Sequence, residues 1–139
     1  MIRQSVVSGL FYPANPVELK QQLAALIFKG KQQPAVAVVL PHAGYVYSGS
    51  VAGEVISRIH VPQQVILLGP NHHGRGKQMA VSAADAWATP LENVAVAADL
   101  RTHLLDELPQ LELDDTAHQQ EHSLEVLIPF LHYVQPQLE

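Results

Sequence analysis

The chain is 139 residues long, with 8 Lys plus Arg against 13 Asp plus Glu, a net charge of -5 and no cysteine. That size suits one domain with a buried core. The acidic balance, with no Lys/Arg-rich run, excludes a nucleic-acid or anionic-lipid footprint, and the lack of Cys excludes disulfides and thiolate metal ligands from this chain. Charged residues make up only 15%, below the roughly 25% of an average domain, so part of the surface is expected to meet something other than water. The eight histidines are the feature to be explained.

The opening stretch, Met1 to Pro16, is interrupted by Gly9, Pro13 and Pro16 and has no apolar core of signal-peptide length. No segment approaches the roughly 20 apolar residues of a membrane helix, so a soluble cytoplasmic protein is expected. Asn15-Pro16-Val17-Glu18 then reads as a helix start, with an Asn cap, Pro at the first helical position and Glu three residues after the cap. Leu19, Leu23, Leu26 and Ile27 form one apolar stripe, and Gly30 is a stop. Residues 35 to 40 form an unbroken apolar run that predicts a strand buried on both faces, and Val65 to Leu68 predicts a second. Between them Val51, Ala52, Val55, Ile56 and Ile59 recur at helical spacing, with Glu54 and Arg58 as an i,i+4 pair. The result is a βαβ unit whose two parallel strands end on one sheet edge, where open α/β sheets gather their ligands.

Met79 to Ala84 and Val94 to Ala97 read as further short strands, and Trp87 to Pro90 as a turn. Leu100, Leu104, Leu105 and Leu108 predict a helix ended by Pro109. A polar loop carrying Asp114 and Asp115 leads to a last helix opened by Glu121-His122-Ser123 and bent at Pro129, which removes a backbone donor.

The histidines divide by position. His42 follows the first predicted strand, and His72 and His73 follow the second, so both strands deliver imidazole to the same edge. Neighbouring strands lie about 4.8 Å apart, close enough for two side chains to converge on one ion. Successive side chains alternate in direction, so one of His72 and His73 faces the metal while the other supports it or moves protons. Loop histidines that only make hydrogen bonds are the alternative. Glu121 can cap the helix N-terminus, and His122 beside it can project into a cleft as an acid or base. His60, His103, His118 and His132 show no convergence and are expected at the surface. Gly74-Arg75-Gly76-Lys77 lacks phosphate-loop spacing and reads as a mobile turn.

Taken together, Gly9-Leu10-Phe11-Tyr12-Pro13, Pro41-His42-Ala43-Gly44-Tyr45, Gly69-Pro70-Asn71-His72-His73, Trp87-Ala88-Thr89-Pro90-Leu91 and Glu121-His122-Ser123-Leu124-Glu125 resemble the Memo family, also called AmmeMemoRadiSam system protein B. The resemblance covers residues 1 to 139 as a single unit, the N-terminal half of a Memo-like α/β domain. It implies a three-layer fold with a mostly parallel central sheet, as in class III extradiol dioxygenases. It also implies metal ligation by His42 and His72, which leaves His73 and His122, by their positions, as the candidate catalytic acid or base groups. The expected metal is iron or copper, with zinc as an alternative, serving redox or dioxygenase-type chemistry.

The family's third ligand, a Cys in well-studied members, belongs to a C-terminal half that this chain does not contain, so the chain alone is expected to be inactive. Completion by that half or by a second copy is the corresponding expectation. The partner of the cleft would be an unidentified small molecule or peptide. The competing function is a non-catalytic peptide- or protein-binding module on the same fold. A zinc hydrolase is disfavoured because neither His motif contains a carboxylate base.

Overall fold

The computed structural model describes all residues from Met1 to Glu139. It is an α/β structure: β1 (Ile2–Arg3), α1 (Pro16–Leu26), α2 (Tyr45–Ser57), β2 (Ala80–Val81), β3 (Ala86–Ala88), β4 (Asn93–Ala95), α3 (Ala98–Glu107), β5 (Glu112–Leu113) and α4 (Ile128–Val134), the last preceded by a 3-10 turn over Glu125–Leu127. β1 pairs parallel with β3 and β3 antiparallel with β4, while β2 and β5 form a separate parallel pair. No helix is long and apolar enough to cross a membrane.

The predicted helices form for the reasons their sequences suggest. The Asn15 side chain accepts hydrogen bonds from the backbone N–H groups of Val17 and Glu18, which satisfies two otherwise orphaned donors and is worth about 1 kcal/mol. α1 stops at Leu26, ahead of Gly30. α2 begins at Tyr45, a turn before the apolar stripe, because Gly44 serves as its cap residue. Leu19 and Leu23 of α1, Ala52 and Ile56 of α2, and Phe130 of α4 are almost wholly buried in one core. Pro129 occupies the first turn of α4, where its missing N–H costs nothing, so it starts the helix and introduces no bend.

The central parallel sheet expected on residues 35–40 and 65–68 is not formed. Gln33 and Ile59 make an isolated parallel bridge just ahead of the first run, but residues 35–40 and 66–68 take part in no backbone–backbone hydrogen bond. Val36 is 107% exposed, Val39 93% and Leu68 89%. An apolar run declares what a strand would bury; burial also needs layers on both faces, and nothing in residues 1–139 covers these side chains. The mixed three-stranded sheet lies elsewhere, and the Trp87 segment expected as a turn supplies its middle strand. α3 is amphipathic yet buries no residue fully, and a cavity of about 190 Å³ separates it from Val65, Leu67, Val81 and Trp87.

The surface placement expected for two of the histidines is corrected. His118 is only 9% exposed, with its ring against the edge of Trp87, and the His132 side chain is 10% exposed. Asp114 and Asp115 are structural: Asp114 accepts from the N–H groups of Lys77 and Thr116, and Asp115 from Ser82 Oγ and Ala83 N. Gly76 has a φ of 71°, and a Cβ there would fall 2.1 Å from Asp114 Oδ2, so the Gly74–Lys77 turn is pinned at this point.

Candidate metal centre

The segment Glu121-His122-Ser123-Leu124-Glu125 is built around two buried carboxylates. Glu125, 1% exposed, accepts from Arg3 Nη1 at 2.5 Å, Tyr12 Oη at 2.8 Å and the N–H groups of Val6 and Val7. Burial, reinforced by Glu125, pushes the Tyr12 hydroxyl above its ordinary range, so it stays a donor. Arg3 also donates from Nη2 to the Glu121 carbonyl at 2.6 Å and from Nε to the His118 carbonyl at 3.1 Å, while its guanidinium lies 4.2 Å from the Trp87 ring centroid. An N-terminal strand thus clamps the segment from below, across 122 residues of sequence.

From above, the segment is tied to the His72 loop. Ser123 Oγ donates to the Pro70 carbonyl at 3.0 Å, and the backbone N–H of His72 donates to Glu121 Oε2 at 2.6 Å. This approach requires Gly69, where a Cβ would meet Ser123 Oγ at 2.7 Å and Leu124 Cδ2 at 2.8 Å. Glu121 Oε1 lies 2.8 Å from His72 Nδ1 and accepts from the N–H groups of His122 and Ser123, each at 2.8 Å. Burial alone would raise this carboxyl. The contact with His72 and the backbone donors of Ser123 and His72 outweigh it and hold the group at about 2.

Three imidazoles converge above Glu121. His72 and His122 are stacked, 4.6 Å between centroids and 15° between planes. His42 lies 5.2 Å from His72 and 6.2 Å from His122. Exposure grades from floor to mouth: the Glu121 side chain is 5% exposed, His122 20% and His72 39%. Phe11 closes one side, its ring centroid 4.8 Å from that of His122 and inclined at 61°, and the Phe11 carbonyl accepts from Tyr45 N at 2.8 Å, joining the first motif to the start of α2. Tyr45 Oη in turn donates to the Val126 carbonyl at 2.8 Å. Burial lowers the His122 pKa, and the neighbouring His72, His42 and His73 oppose protonation too, against the pull of Glu121. A largely neutral imidazole is the metal-binding form.

The donor set fits a metal ion. One ligand atom from each of His72, Glu121 and His122 lies within 4.8 Å of the others. A metal about 2.1 Å from an imidazole nitrogen lies about 3.2 Å from that ring's centroid, so two rings sharing a tetrahedral ion have centroids about 5.2 Å apart. The His42–His72 distance of 5.2 Å matches this spacing; His72 and His122, stacked at 4.6 Å and 15°, share an ion only if one ring turns, and His42 and His122 lie 6.2 Å apart. His73 is exposed and forms no close ring pair with these three. Glu121 is the group whose role was least legible in sequence: its position suggested a helix cap, and it does accept from the next two N–H groups, but the helix begins later and its main partner is His72.

The comparisons agree with this convergence of motifs. Residues 3–139 match the family described as Memo-like protein. A MEMO1 family protein of Aquifex aeolicus is 45% identical over 132 residues, which is 94% of this chain and 49% of that relative. One from Archaeoglobus fulgidus is 43% identical over 135 residues, 96% of this chain and 50% of the relative, and another from Pyrococcus furiosus is 40% identical over 140 residues, 96% and 48%. The chain spans about half the length of these curated relatives. The chain belongs to the Memo-like protein family.

Proposed function

We propose that this chain carries the nitrogen-donor half of a Memo-type non-heme metal centre, with His42, His72 and His122 as donors. The observation that carries the reading is the convergence of three imidazoles, from three separate motifs, over one buried carboxylate. Iron or copper, with zinc as an alternative, would supply redox chemistry on an organic substrate or dioxygen when bound. The chain's own residues do the rest. Phe11 shields the edge of His122 from water. His73, exposed beside His72, is free to move a proton at the mouth. Hydrolysis is a poorer reading because Glu121, the nearby carboxylate, is engaged by four nitrogens, whose hydrogen bonds make it a weak base.

In this reading residues 35–40 and 65–68 pair as parallel strands of an extradiol dioxygenase-type three-layer fold once a complementing half is present. Their exposed valines and unpaired backbone support it. Titration of the purified chain with iron(II), copper(II) and zinc(II), beside His42→Ala, His72→Ala and His122→Ala variants, is the test. Each variant is expected to lose at least tenfold in affinity for the preferred metal; metal content indistinguishable from wild type would end the proposal.

One observation favours a second reading, a protein- or peptide-binding module. Val36, Val39 and Leu68 flank the His loops as exposed apolar side chains, and such a surface invites association. Sedimentation should then show self-association that Val36→Asp and Val39→Asp weaken; a monodisperse monomer would count against that reading.

A further inference from the structure

We propose that Glu121 is the positioning residue of this centre and not one of its ligands: it holds His72 with its proton on Nδ1, so that Nε2 presents its lone pair to the metal. The inference rests on the metal-centre reading above and assigns Glu121 a role within it. Proximity alone would count Glu121 among the ligands, since its carboxylate oxygen is as close to the imidazoles as they are to each other. Its hydrogen bonds argue otherwise. Oε2 accepts from His72 N at 2.6 Å, and Oε1 faces His72 Nδ1, His122 N and Ser123 N, each at 2.8 Å. Each carboxylate oxygen has about two lone-pair positions: Oε1, facing three nitrogens, is more than filled, and Oε2 is fixed in place by the His72 N–H. Turning Oε1, the oxygen nearest the rings, toward a metal would strand the His122 and Ser123 N–H groups in a pocket where Glu121 is 4% exposed.

The consequence for His72 follows from acceptor chemistry. A carboxylate that already receives three backbone N–H groups is an acceptor only, so the imidazole nitrogen 2.8 Å away must donate. The proton of neutral His72 therefore sits on Nδ1, the less populated form of a free histidine side chain, and Nε2 is left as the coordinating nitrogen. His122 is not held in this way. Its Nδ1 lies 3.6 Å from the same oxygen, beyond a hydrogen bond, so Glu121 distinguishes the two stacked rings. The orienting group is itself immobilised. The Glu121 carbonyl takes a hydrogen bond from Arg3 Nη2, and Ser123 Oγ anchors the next turn to Pro70. Through this chain of contacts the direction of the His72 lone pair is tied to the N-terminal strand.

Long-range ¹H–¹⁵N imidazole spectra of the metal-free chain at pH 8, with His72 assigned by comparison with His72→Ala, test this directly. The wild type is expected to show His72 protonated on Nδ1, and Glu121→Ala to move it toward the Nε2-protonated form. Zinc(II) affinity should fall about 10- to 100-fold in Glu121→Ala, the range for losing a group that orients a metal-bound histidine, and should vanish in His72→Ala. A wild-type His72 protonated on Nε2 would overturn the inference, as would a tautomer unmoved by Glu121→Ala. The wild-type spectrum does not depend on Glu121→Ala, so it decides the matter even if that variant fails to fold. Should zinc(II), iron(II) and copper(II) all fail to bind while His72 reads Nδ1–H, the metal reading falls and the positioning of His72 by Glu121 stands.

Discussion

Two regions reach the histidine cluster by opposite routes. Residues 121–125 are buried and polar, and the two glutamates are satisfied within the chain by Arg3, Tyr12, His72 and five backbone N–H groups. Residues 35–40 and 65–68 are apolar and mostly exposed, and the backbone from 35 to 40 and from 66 to 68 lacks pairing partners. The difference lies in what each kind of group demands. A buried carboxylate needs donors at hydrogen-bond distance and fixed angles, so a segment carrying two of them specifies its neighbours closely. An apolar side chain accepts any apolar cover, so its burial depends on what is available to lie over it.

The largest effect is expected at Glu125. Glu125→Ala should cost about 3–5 kcal/mol in urea denaturation, because Arg3 is left charged and buried with no counter-ion. A loss under about 1 kcal/mol would mean the clamp is far weaker than its geometry, in the range of exposed ion pairs. Gly69→Ala is expected next, at about 1–3 kcal/mol from the forced shift of Ser123 and Leu124, and should weaken metal binding by moving the His72 loop off its anchor.

A smaller effect depends on pH. Burial depresses the His118 pKa, so the folded state resists protonation more than the unfolded chain. The sign is that of a group whose neutral form is favoured by folding: its contribution is fully present above about pH 6.5 and is lost as pH falls through that value toward the depressed folded one. Urea midpoints at pH 7.5 and 5.5 should therefore drop less in His118→Phe than in the wild type. Equal drops would place the pH sensitivity elsewhere.

The smallest change should come from the uncovered region. Val36→Asp with Val39→Asp is expected to alter the stability of this chain by no more than about 0.5 kcal/mol, since neither side chain is buried. A loss of several kcal/mol would show that these valines are covered in solution, by a second copy or by a rearranged sheet.

Which residues would gather was partly legible. His42 and His72 were expected as ligands and His122 as an acid or base, and the three rings do lie together, whereas His73 stands apart; the helix over Pro16–Leu26 was written in its Asn cap and leucine spacing. The roles of the two glutamates were not. Glu121 and Glu125 are four residues apart, yet one turns toward His72 and the other toward Arg3 and Tyr12, partners 49, 122 and 113 residues away. Nothing in the local pattern around His118 announces that Trp87 covers it, because that contact too is long-range. The apolar runs misled for the complementary reason: they carried a strand's composition without the neighbours that make a strand.

What the sequence determined by itself, then, is the α/β class, the helices with strong caps and stripes, and which histidines cluster in motifs. These depend on spacing, propensity and side-chain type, all local properties. Tertiary structure alone decided that the N-terminal strand clamps the Glu121–Glu125 segment, that three rings meet over one carboxylate, and that the two apolar runs stay unpaired. Each of these depends on groups distant in sequence being brought to hydrogen-bond or van der Waals distance, or on their failing to arrive, and no local pattern encodes that distance.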